Sequence, residues 1–177
     1  NQTSTVLSIG DSYGGGIVAY ILQPGESIQD INDNGTSYTT INYNANAQQG
    51  LITANADQSD GQIGSPTWSN IRIGTTGTAI GTGAANTIAI ISQSGHTSSM
   101  AQTCVNYSTD GYSDWYFPSK DEMYKLYLNK TVIGGFVDDL YSTSSEVDDG
   151  DNVWLLGLDD GEWDSVNSKS NSYRIRA

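Results

Sequence analysis

The sequence of 177 residues predicts a single α+β domain, 1–177. Short apolar runs near the front predict strands, three segments in the middle have helical spacing, and the last stretch is strand-like again. Strands that flank a block of helices, instead of alternating with them, are typical of this class. The length suits one domain with its own core, and no internal repeat divides it.

The front of the chain predicts two buried strands. Three glycines, Gly14–Gly16, lead into the apolar run Ile17–Leu22, and Gly50–Ala54 has the same character. Since no Gly-Lys-Ser/Thr follows, the glycines indicate a bulge or a close backbone approach and not a phosphate loop. The polar stretch between the strands predicts a hairpin that turns at Asn34-Gly35. Further on, we expect a turn at Asp57–Gly61 and a buried Trp68.

Three helical segments are predicted next, and the third has the clearest signal. Ser119 and Glu122 form a capping box, in which each side chain satisfies a backbone N–H of the other. The acidic residues of this first turn therefore have a structural role. The other two segments are recognised by apolar spacing: Ala84, Ala85, Ile88 and Ile91, with Gly95 as a stop, and then Met100, Ala101, Cys104 and Val105.

The C-terminal stretch Tyr141–Ala177 alternates apolar residues with Asp, Asn, Ser and Gly. Apolar residues at regular intervals fix the register of a sheet, and the small polar residues between them are expected to face solvent. The pattern suits a binding face on a rigid scaffold. Trp163 is the aromatic candidate for an exposed anchor, since a few aromatic or Arg side chains supply most binding energy at interfaces.

The net charge of −13, with only seven Lys and Arg residues, excludes nucleic acid as the expected partner and disfavours anionic membranes. No apolar run approaches 18 residues, so membrane insertion is not expected. The single cysteine, Cys104, excludes an intrachain disulfide and is expected to be a small core residue. Four Asn-x-Ser/Thr sequons, at Asn1, Asn34, Asn106 and Asn129, favour an extracellular location.

No constellation in the sequence predicts catalysis. His96 is the only histidine, which excludes a His-rich or Cys/His metal site, and its Gly- and Ser-rich surroundings indicate a solvated loop. The cluster Asp148–Asn152 has the composition of a calcium loop but lacks the spacing of an EF-hand. We therefore expect no enzyme and no cofactor, with calcium as the open alternative.

A series of motifs in fixed order resembles a known domain. The resemblance spans nearly the whole chain except about 26–48, and its motifs are weak singly but strong in this order. They are Ile9-Gly10-Asp11, Gly14–Val18, Gly50–Ile52, Asp57–Ser59, Gly81–Gly83, Asn86-Thr87, Asp110–Trp115, Phe117–Lys120, Glu122, Ser144–Glu146, Val153-Trp154, Leu158, Gly161, Lys169 and Arg174–Ala177. Together they resemble the C-type-lectin-fold domain of collagen-like bacterial adhesins and of the variable proteins of diversity-generating retroelements.

The resemblance implies a C-type-lectin-like fold with short antiparallel sheets, two main helices and a ligand-binding C-terminal sheet, about 141–177. In that family, adenine-directed mutation leads to residues such as Asn, Asp, Ser, Gly, Val and Leu. The implied scaffold here is Trp154, Gly161, Lys169, Arg174 and Arg176. The implied variable, ligand-binding positions, with Trp163 added as the anchor, are Val147, Asp148, Asp149, Asp151, Asn152, Leu155, Gly157, Trp163, Asp164, Ser165, Val166, Asn167, Ser168, Ser170, Asn171 and Ser172.

Two residues depart from the family pattern. Ser142 stands where the family commonly has Trp. At Trp163, a change of one adenine in an Asn codon would not produce a Trp codon.

The expected function is binding, without catalysis, of a protein ligand by a domain displayed on a cell or virion surface. The alternative is an adhesin tip that binds a glycan, with calcium at Asp148, Asp149 and Asp151 or at Asp159, Asp160 and Glu162. A homo-oligomer is an open expectation.

Overall fold

A computed structural model describes residues 6–32, 35–62, 64–69, 76–147 and 151–177. Within these ranges the chain is mixed α+β, as predicted, with strands at the front, helices in the middle and strands at the end. The strands are β1 Ser12–Tyr13, β2 Gly16–Ile21, β3 Ser27–Ile31, β4 Tyr38–Asn42, β5 Gly50–Thr53, β6 Ser59–Asp60, β7 Leu140–Glu146, β8 Asn152–Gly157, β9 Trp163–Ser168 and β10 Arg174–Ile175. The helices are α1 Gly83–Ile91, α2 Met100–Val105, α3 Lys120–Leu128 and α4 Lys130–Ile133.

The strands of the described ranges form three sheets. A front sheet has the order β1-β2-β5, a hairpin pairs β3 with β4, and a five-stranded C-terminal sheet has the order β6-β10-β7-β8-β9. In the last of these, β10 pairs parallel to β7 and antiparallel to β6. The Asp57–Gly61 segment, predicted as a turn, therefore supplies the short edge strand β6, because the end of the chain returns to pair with it.

The glycine run at the front permits a close backbone approach, as predicted. Gly14 and Gly15 turn β1 into β2 with positive φ angles of 57° and 77°. A Cβ atom on Gly16 would lie 2.9 Å from the Trp115 ring, which real side chains do not tolerate. The predicted hairpin is also present, since β3 and β4 pair from Ser27↔Asn42 to Ile31↔Tyr38. Asn34 of its expected turn lies outside the described residues.

The predicted helices are confirmed, and the third has the predicted N-terminus. Ser119 caps α3 by accepting from the Glu122 N–H, while Glu122 accepts from the Ser119 N–H at 2.7 Å. The short helix α4 was not predicted, and it ends at Gly134. No helix in the described ranges is long and apolar enough to cross a membrane.

The C-terminal sheet is covered on both faces. On one face, Leu155 and Ile175 pack in a cluster with Trp68 and with residues of α1 and α2, Cys104 among them. On the other face, Tyr141, Leu156 and Leu158 pack in a cluster with Met123 of α3. Trp68 and Cys104 are fully buried, as predicted, and burial raises the pKa of the Cys104 thiol.

Candidate ligand-binding face

The end of the chain is fixed by a buried arginine. Arg176 donates from Nε to Asp57 Oδ1 at 2.7 Å and from its two Nη atoms to the carbonyls of Ala54 (3.1 Å) and Gly135 (2.6 Å). Its guanidinium also lies 4.3 Å from the centre of the Phe136 ring. Because a buried charge is costly unless it is paired and hydrogen-bonded, these contacts make Arg176 a strong structural anchor.

The same carboxylate holds two further side chains. Asp57 Oδ2 accepts from the Tyr141 hydroxyl at 2.7 Å and lies 3.5 Å from an Nη atom of Arg174. Burial, together with the hydrogen bond to Asp57, raises the pKa of Tyr141 to about 12. Arg174 also donates to Asp139 at 2.8 Å, and this pairing raises the pKa of its guanidinium. β6, β7 and β10 are thus joined through one aspartate.

A second buried ion pair holds the turn after β9. Lys169 pairs with Glu146 of β7, and both side chains are nearly inaccessible, with exposed fractions of 7% and 2%. The Lys169 ammonium lies 4.7 Å from the centre of the Trp68 ring. Trp68 in turn donates from Nε1 to the Thr143 carbonyl at 2.7 Å. The position and direction of this turn therefore depend on buried contacts.

Two tryptophans and a lysine lie between the C-terminal sheet and α3. Trp154 and Trp163 meet edge to face with centroids 6.2 Å apart, and Lys120 Nζ lies 4.7 Å and 4.4 Å from their respective ring centres. Tyr124 lies one helical turn beyond Lys120 and contacts Trp163 at 6.2 Å. Trp163 is thus half-buried against α3, so the expectation that its ring is exposed is wrong, while its role as a ligand anchor stays a prediction.

Gly161, predicted as a scaffold position, is placed where a side chain cannot fit. Its φ of +79° belongs to the left-handed region, and a Cβ there would lie 2.5 Å from the Tyr127 ring. Tyr127 in turn stacks on Tyr124 with centroids 5.8 Å apart. The turn between β8 and β9 therefore depends on glycine at this position.

Most of the predicted ligand-binding residues are brought together at one edge of the sheet. β9 is the outermost strand, and Val166 at its centre is 82% exposed. The side chains of β9 and of the turn after it are exposed or half-buried: Asp164, Ser165, Val166, Asn167, Ser168, Ser170, Asn171 and Ser172. Asp151 and Asn152 are half-buried at the start of β8, and Asn152 pairs with Ser168. We call β9 and residues 170–172 the β9 face.

Leu155 and Gly157 do not belong to this face. Leu155 is fully buried in the cluster with Trp68, and Gly157 is buried where β8 pairs with Leu140. The predicted alternation along β8 is present, because Leu156 and Leu158 point to the opposite side. The error was to assume that the side away from Leu156 faces solvent, whereas α1, α2 and Trp68 cover it. Both residues therefore lie outside the β9 face, and Gly157 instead lines a cleft at the other end of β8.

Three other predicted positions lie beside the β7–β8 connection. Val147 is half-buried, and its N–H donates to the Asn152 carbonyl at 2.9 Å, which closes the two strands toward each other. Asp148 and Asp149 lie outside the described residues. Their predicted role in ligand or calcium binding stays a prediction.

The polar groups of the β9 face hold one another in place. Asp164 accepts from the Val166 N–H at 3.0 Å, and this bond lowers the pKa of its carboxyl group. Asn171 donates to the Tyr173 hydroxyl at 3.2 Å, and burial raises the pKa of that hydroxyl. The face therefore presents ionised carboxylate, amide and hydroxyl groups beside an apolar Val166. This mixture suits a polar ligand surface.

The acidic residues of the calcium alternative border a cleft of about 420 Å³ at the other end of β8 and β9. Asp159, Asp160 and Glu162 line it together with Asp138 and Asp139. Asp160 accepts from the Glu162 N–H at 2.9 Å, and Asp139 is paired with Arg174. Among the described residues, no three His, Cys, Asp or Glu side chains are arranged to hold a metal ion.

His96 is half-buried and not fully solvated, contrary to the sequence prediction. Its Nε2 lies 3.0 Å from Ser99 Oγ, and burial lowers the pKa of the imidazole. Ser99 is the N-cap of α2 and its Oγ accepts from the Gln102 N–H at 3.0 Å. This contact has a structural explanation at the start of a helix.

Sequence reasoning missed that α3 packs beside the β9 face. Lys120, Tyr124 and Tyr127 follow the spacing i, i+4 and i+7, so they share one side of the helix. The capping box fixes where the helix starts, and the i, i+4, i+7 spacing counted from that start was the signal available in the sequence.

In comparisons with known proteins, no family model and no curated protein matches this chain.

Proposed function

We propose that this chain is a ligand-binding domain of the receptor or adhesin type, displayed on a cell or virion surface, and that the β9 face contacts a protein ligand without catalysis. The observation that carries the proposal is the contrast within the C-terminal sheet. The scaffold residues Lys169 and Arg176 are buried and ion-paired, whereas the side chains of the β9 face are exposed or half-buried and are held largely by their own short-range bonds.

This contrast matters because a binding face must tolerate changes of side chain. Surface substitutions away from buried networks usually alter stability by less than about 0.5 kcal/mol. Val166, 82% exposed, and Asn171 are of this kind, while Arg176 and Lys169 are not. A face with such freedom on a fixed frame supports variable recognition, as in antibody loops on a rigid sandwich.

The proposal includes diversification by a retroelement, as implied by the resemblance of the motifs. The positions that would vary lie mainly on the β9 face, with Asp151 and Asn152 beside it. DNA flanking the gene should then contain a near-copy of the codons for 141–177 and a reverse transcriptase gene. If sequencing finds neither, the face is not diversified, and the β9 face would be a fixed adhesin surface.

Binding is tested on arrays of purified surface proteins and of glycans. Val166→Arg combined with Asn171→Arg places two bulky charges on the β9 face. The matched control is Leu128→Arg with Val132→Arg, since these residues are 57% and 61% exposed on α3 and α4. We expect the face variant to lose at least about tenfold in affinity, because two bulky charges at the face clash with a ligand there, and a tenfold loss corresponds to only about 1.4 kcal/mol.

Equal losses in the face variant and the control would contradict the β9 face as the binding site. The glycan alternative is separated by calorimetry with calcium. Heat release together with glycan array signals that disappear with a chelator would favour the alternative, with the acidic cleft at Asp159 and Asp160 as its site. Protein signals unaffected by the chelator support the main proposal.

A further inference from the structure

A second concave site lies on the other side of α3 from the β9 face. This groove has a volume of about 440 Å³ and lies between β5, the β3–β4 hairpin and the loop that precedes α3. Its size falls in the range of small-molecule sites, roughly 300–1,000 Å³. Glu122 and Leu126 of α3 line the groove, whereas Lys120 and Tyr124 contact Trp163 on the opposite side of the helix.

The floor of the groove is apolar. Ile28, Ile41 and Leu51 line it, and Ile28 and Leu51 belong to a buried cluster against which Ile41 packs. At its inner end, Glu122 accepts hydrogen bonds from the N–H groups of Gly81 and Ser119, and burial raises the pKa of its carboxyl group. The Glu122 carboxylate is therefore already hydrogen-bonded within the protein, and a ligand in the groove does not have to supply a partner for it.

One wall is held rigidly by a tight turn and by the glycine run. Asp110, with φ of 51°, and Gly111, with φ of 85°, form a two-residue turn in which Thr109 and Tyr112 exchange both backbone hydrogen bonds. A Cβ on Gly15 would lie 2.9 Å from the Thr109 carbonyl oxygen, so glycine is required for this loop to dock. Gly14 and Gly15 therefore allow Tyr112 to pack close against the turn between β1 and β2.

Two tyrosines at the groove remain accessible despite this rigid support. Tyr13 is 57% exposed and Tyr112 is 46% exposed, and both line the groove. Trp115 and Tyr116 add two further rings to the lining. Rigid aromatic faces that stay exposed lose little conformational entropy on binding, and they attract cations through their quadrupoles.

The charged residues of the groove all have the same sign. Asp30 and Asp114 line it beside the tyrosines, and both are exposed. No Lys, Arg or His is among the described residues that line the groove. The chain as a whole has a net charge of −13. An anionic ligand is therefore repelled, and a positively charged one is attracted both by the carboxylates and by the aromatic rings.

We propose that this groove binds a small organic amine, with its ammonium group between Asp30, Asp114 and the exposed tyrosines and its apolar part on the Ile28, Ile41 and Leu51 floor. An amine combines the two properties that the lining selects, a positive charge and an apolar stem. Its N–H donors also match a lining whose charged groups are all acceptors.

Gln49 gives an independent indication that the groove requires a donor. Its side chain lines the groove, and its Oε1 atom is buried and accepts no hydrogen bond from the described residues. A buried acceptor without a donor is unfavourable. Rotation of the amide toward the groove would allow a ligand N–H to satisfy it, which a quaternary ammonium compound, having no N–H, cannot do.

The test uses three probes with the same apolar body: phenethylamine, the neutral phenethyl alcohol and the anionic phenylacetate. Binding is followed by calorimetry and by amide chemical-shift changes in the full chain. We expect the amine to bind at least about tenfold more tightly than the alcohol, and phenylacetate not to bind. The affinity for the amine should fall as salt is raised, because exposed charges are screened.

The charge-removing variant is Asp30→Asn with Asp114→Asn, and the matched control is Asp138→Asn with Asp159→Asn, which removes the same net charge at the acidic cleft. The groove variant should lose about tenfold in affinity for phenethylamine, and the control less than about twofold. Three outcomes would overturn the proposal: equal binding of the alcohol and the amine, equal losses in both variants, or no binding of the amine at millimolar concentration.

Tyr13→Ala, at a largely exposed position, gives a second variant that should weaken binding of the amine without unfolding the chain. A lysine-containing peptide that binds far more tightly than the amine would also overturn it, by assigning the groove to a polypeptide.

Discussion

Two regions of the C-terminal sheet, β9 and the last four residues Arg174–Ala177, are close in sequence and built in opposite ways. Arg176 has no exposed side-chain surface and donates to a carboxylate and two carbonyls, whereas Val166 is 82% exposed. β10 lies inside the sheet between β6 and β7, while β9 lies at its edge. Stability and the proposed ligand contact therefore fall on different strands of one sheet.

This division explains how a polar, Gly- and Ser-rich segment keeps a defined shape. Edge strands are prone to slip or to pair with other chains unless something fixes them. Here the turn after β9 is tied down by the Lys169–Glu146 pair, and the turn before it by Gly161 against Tyr127. The strand is held at both ends, so its middle does not have to supply its own stability.

The largest effect is expected where the frame is broken at Arg176. Replacing Arg176 by Met leaves Asp57 without its main partner, and breaking a buried pair typically costs about 3–5 kcal/mol. In a domain of this length, 1 kcal/mol corresponds to about 2–4 °C in Tm. We expect Tm to fall by roughly 10 °C in a thermal melt. A fall below about 2 °C would show that the C-terminal anchor is not essential to the frame.

The Lys169–Glu146 pair should give a smaller effect that isolates the turn after β9. Lys169→Met alone removes the buried cation that pairs with the Glu146 carboxylate and is expected to cost about 3 kcal/mol in unfolding free energy. Adding Glu146→Gln removes the buried negative charge and should restore part of this stability. Denaturant melts of the two single variants and the double variant measure the coupling. Additive losses would mean that the pair does not act as a unit.

Tyr141 should make the stability of the frame depend on pH. Its folded pKa of about 12 lies above the ordinary value of 10, so the folded state binds the proton more tightly. The resulting stabilisation is present below pH 10 and is lost as the pH rises toward about 12. Between about pH 9 and about pH 11, wild type should lose more unfolding free energy than Tyr141→Phe. Identical pH profiles for the two proteins would contradict the proposed Asp57–Tyr141 bond.

The smallest effect is expected on the β9 face. Val166→Thr retains a β-branched side chain at an exposed position and should change unfolding free energy by less than about 0.5 kcal/mol. A denaturant melt beside Arg176→Met gives the direct comparison between face and frame. A loss above about 1 kcal/mol at Val166 would remove the distinction on which the proposed function rests.

The sequence signals that succeeded were local. The capping box of α3 and the strand at β2 each depend on residues within a few positions of one another, and each is present. The partners of β10 were not predictable in this way, because Arg174 pairs with Asp60 and Tyr141, far away in the chain. The error at Leu155 has the same origin, since alternation along a strand does not reveal what covers its second face.

The site was predicted to a similar extent. The residues of the β9 face could be read from the pattern of small polar residues, because β9 lies at the edge of the sheet and leaves them exposed or half-buried. The half-buried state of Trp163 depends on Lys120 and Tyr124 of α3, a contact between segments about forty residues apart. The groove at Tyr13 and Tyr112 was also beyond prediction, since parts of the chain that are far apart in sequence form it together.

The burial of Cys104 has a practical consequence. Its thiol is inaccessible, and the raised pKa keeps it protonated and unreactive at neutral pH. A cysteine introduced at Val166 would then be the one thiol open to maleimide reagents, since the chain contains no other. A fluorophore or a surface linker attached there would report on contacts at β9, and the same label at Tyr13 would report on the groove.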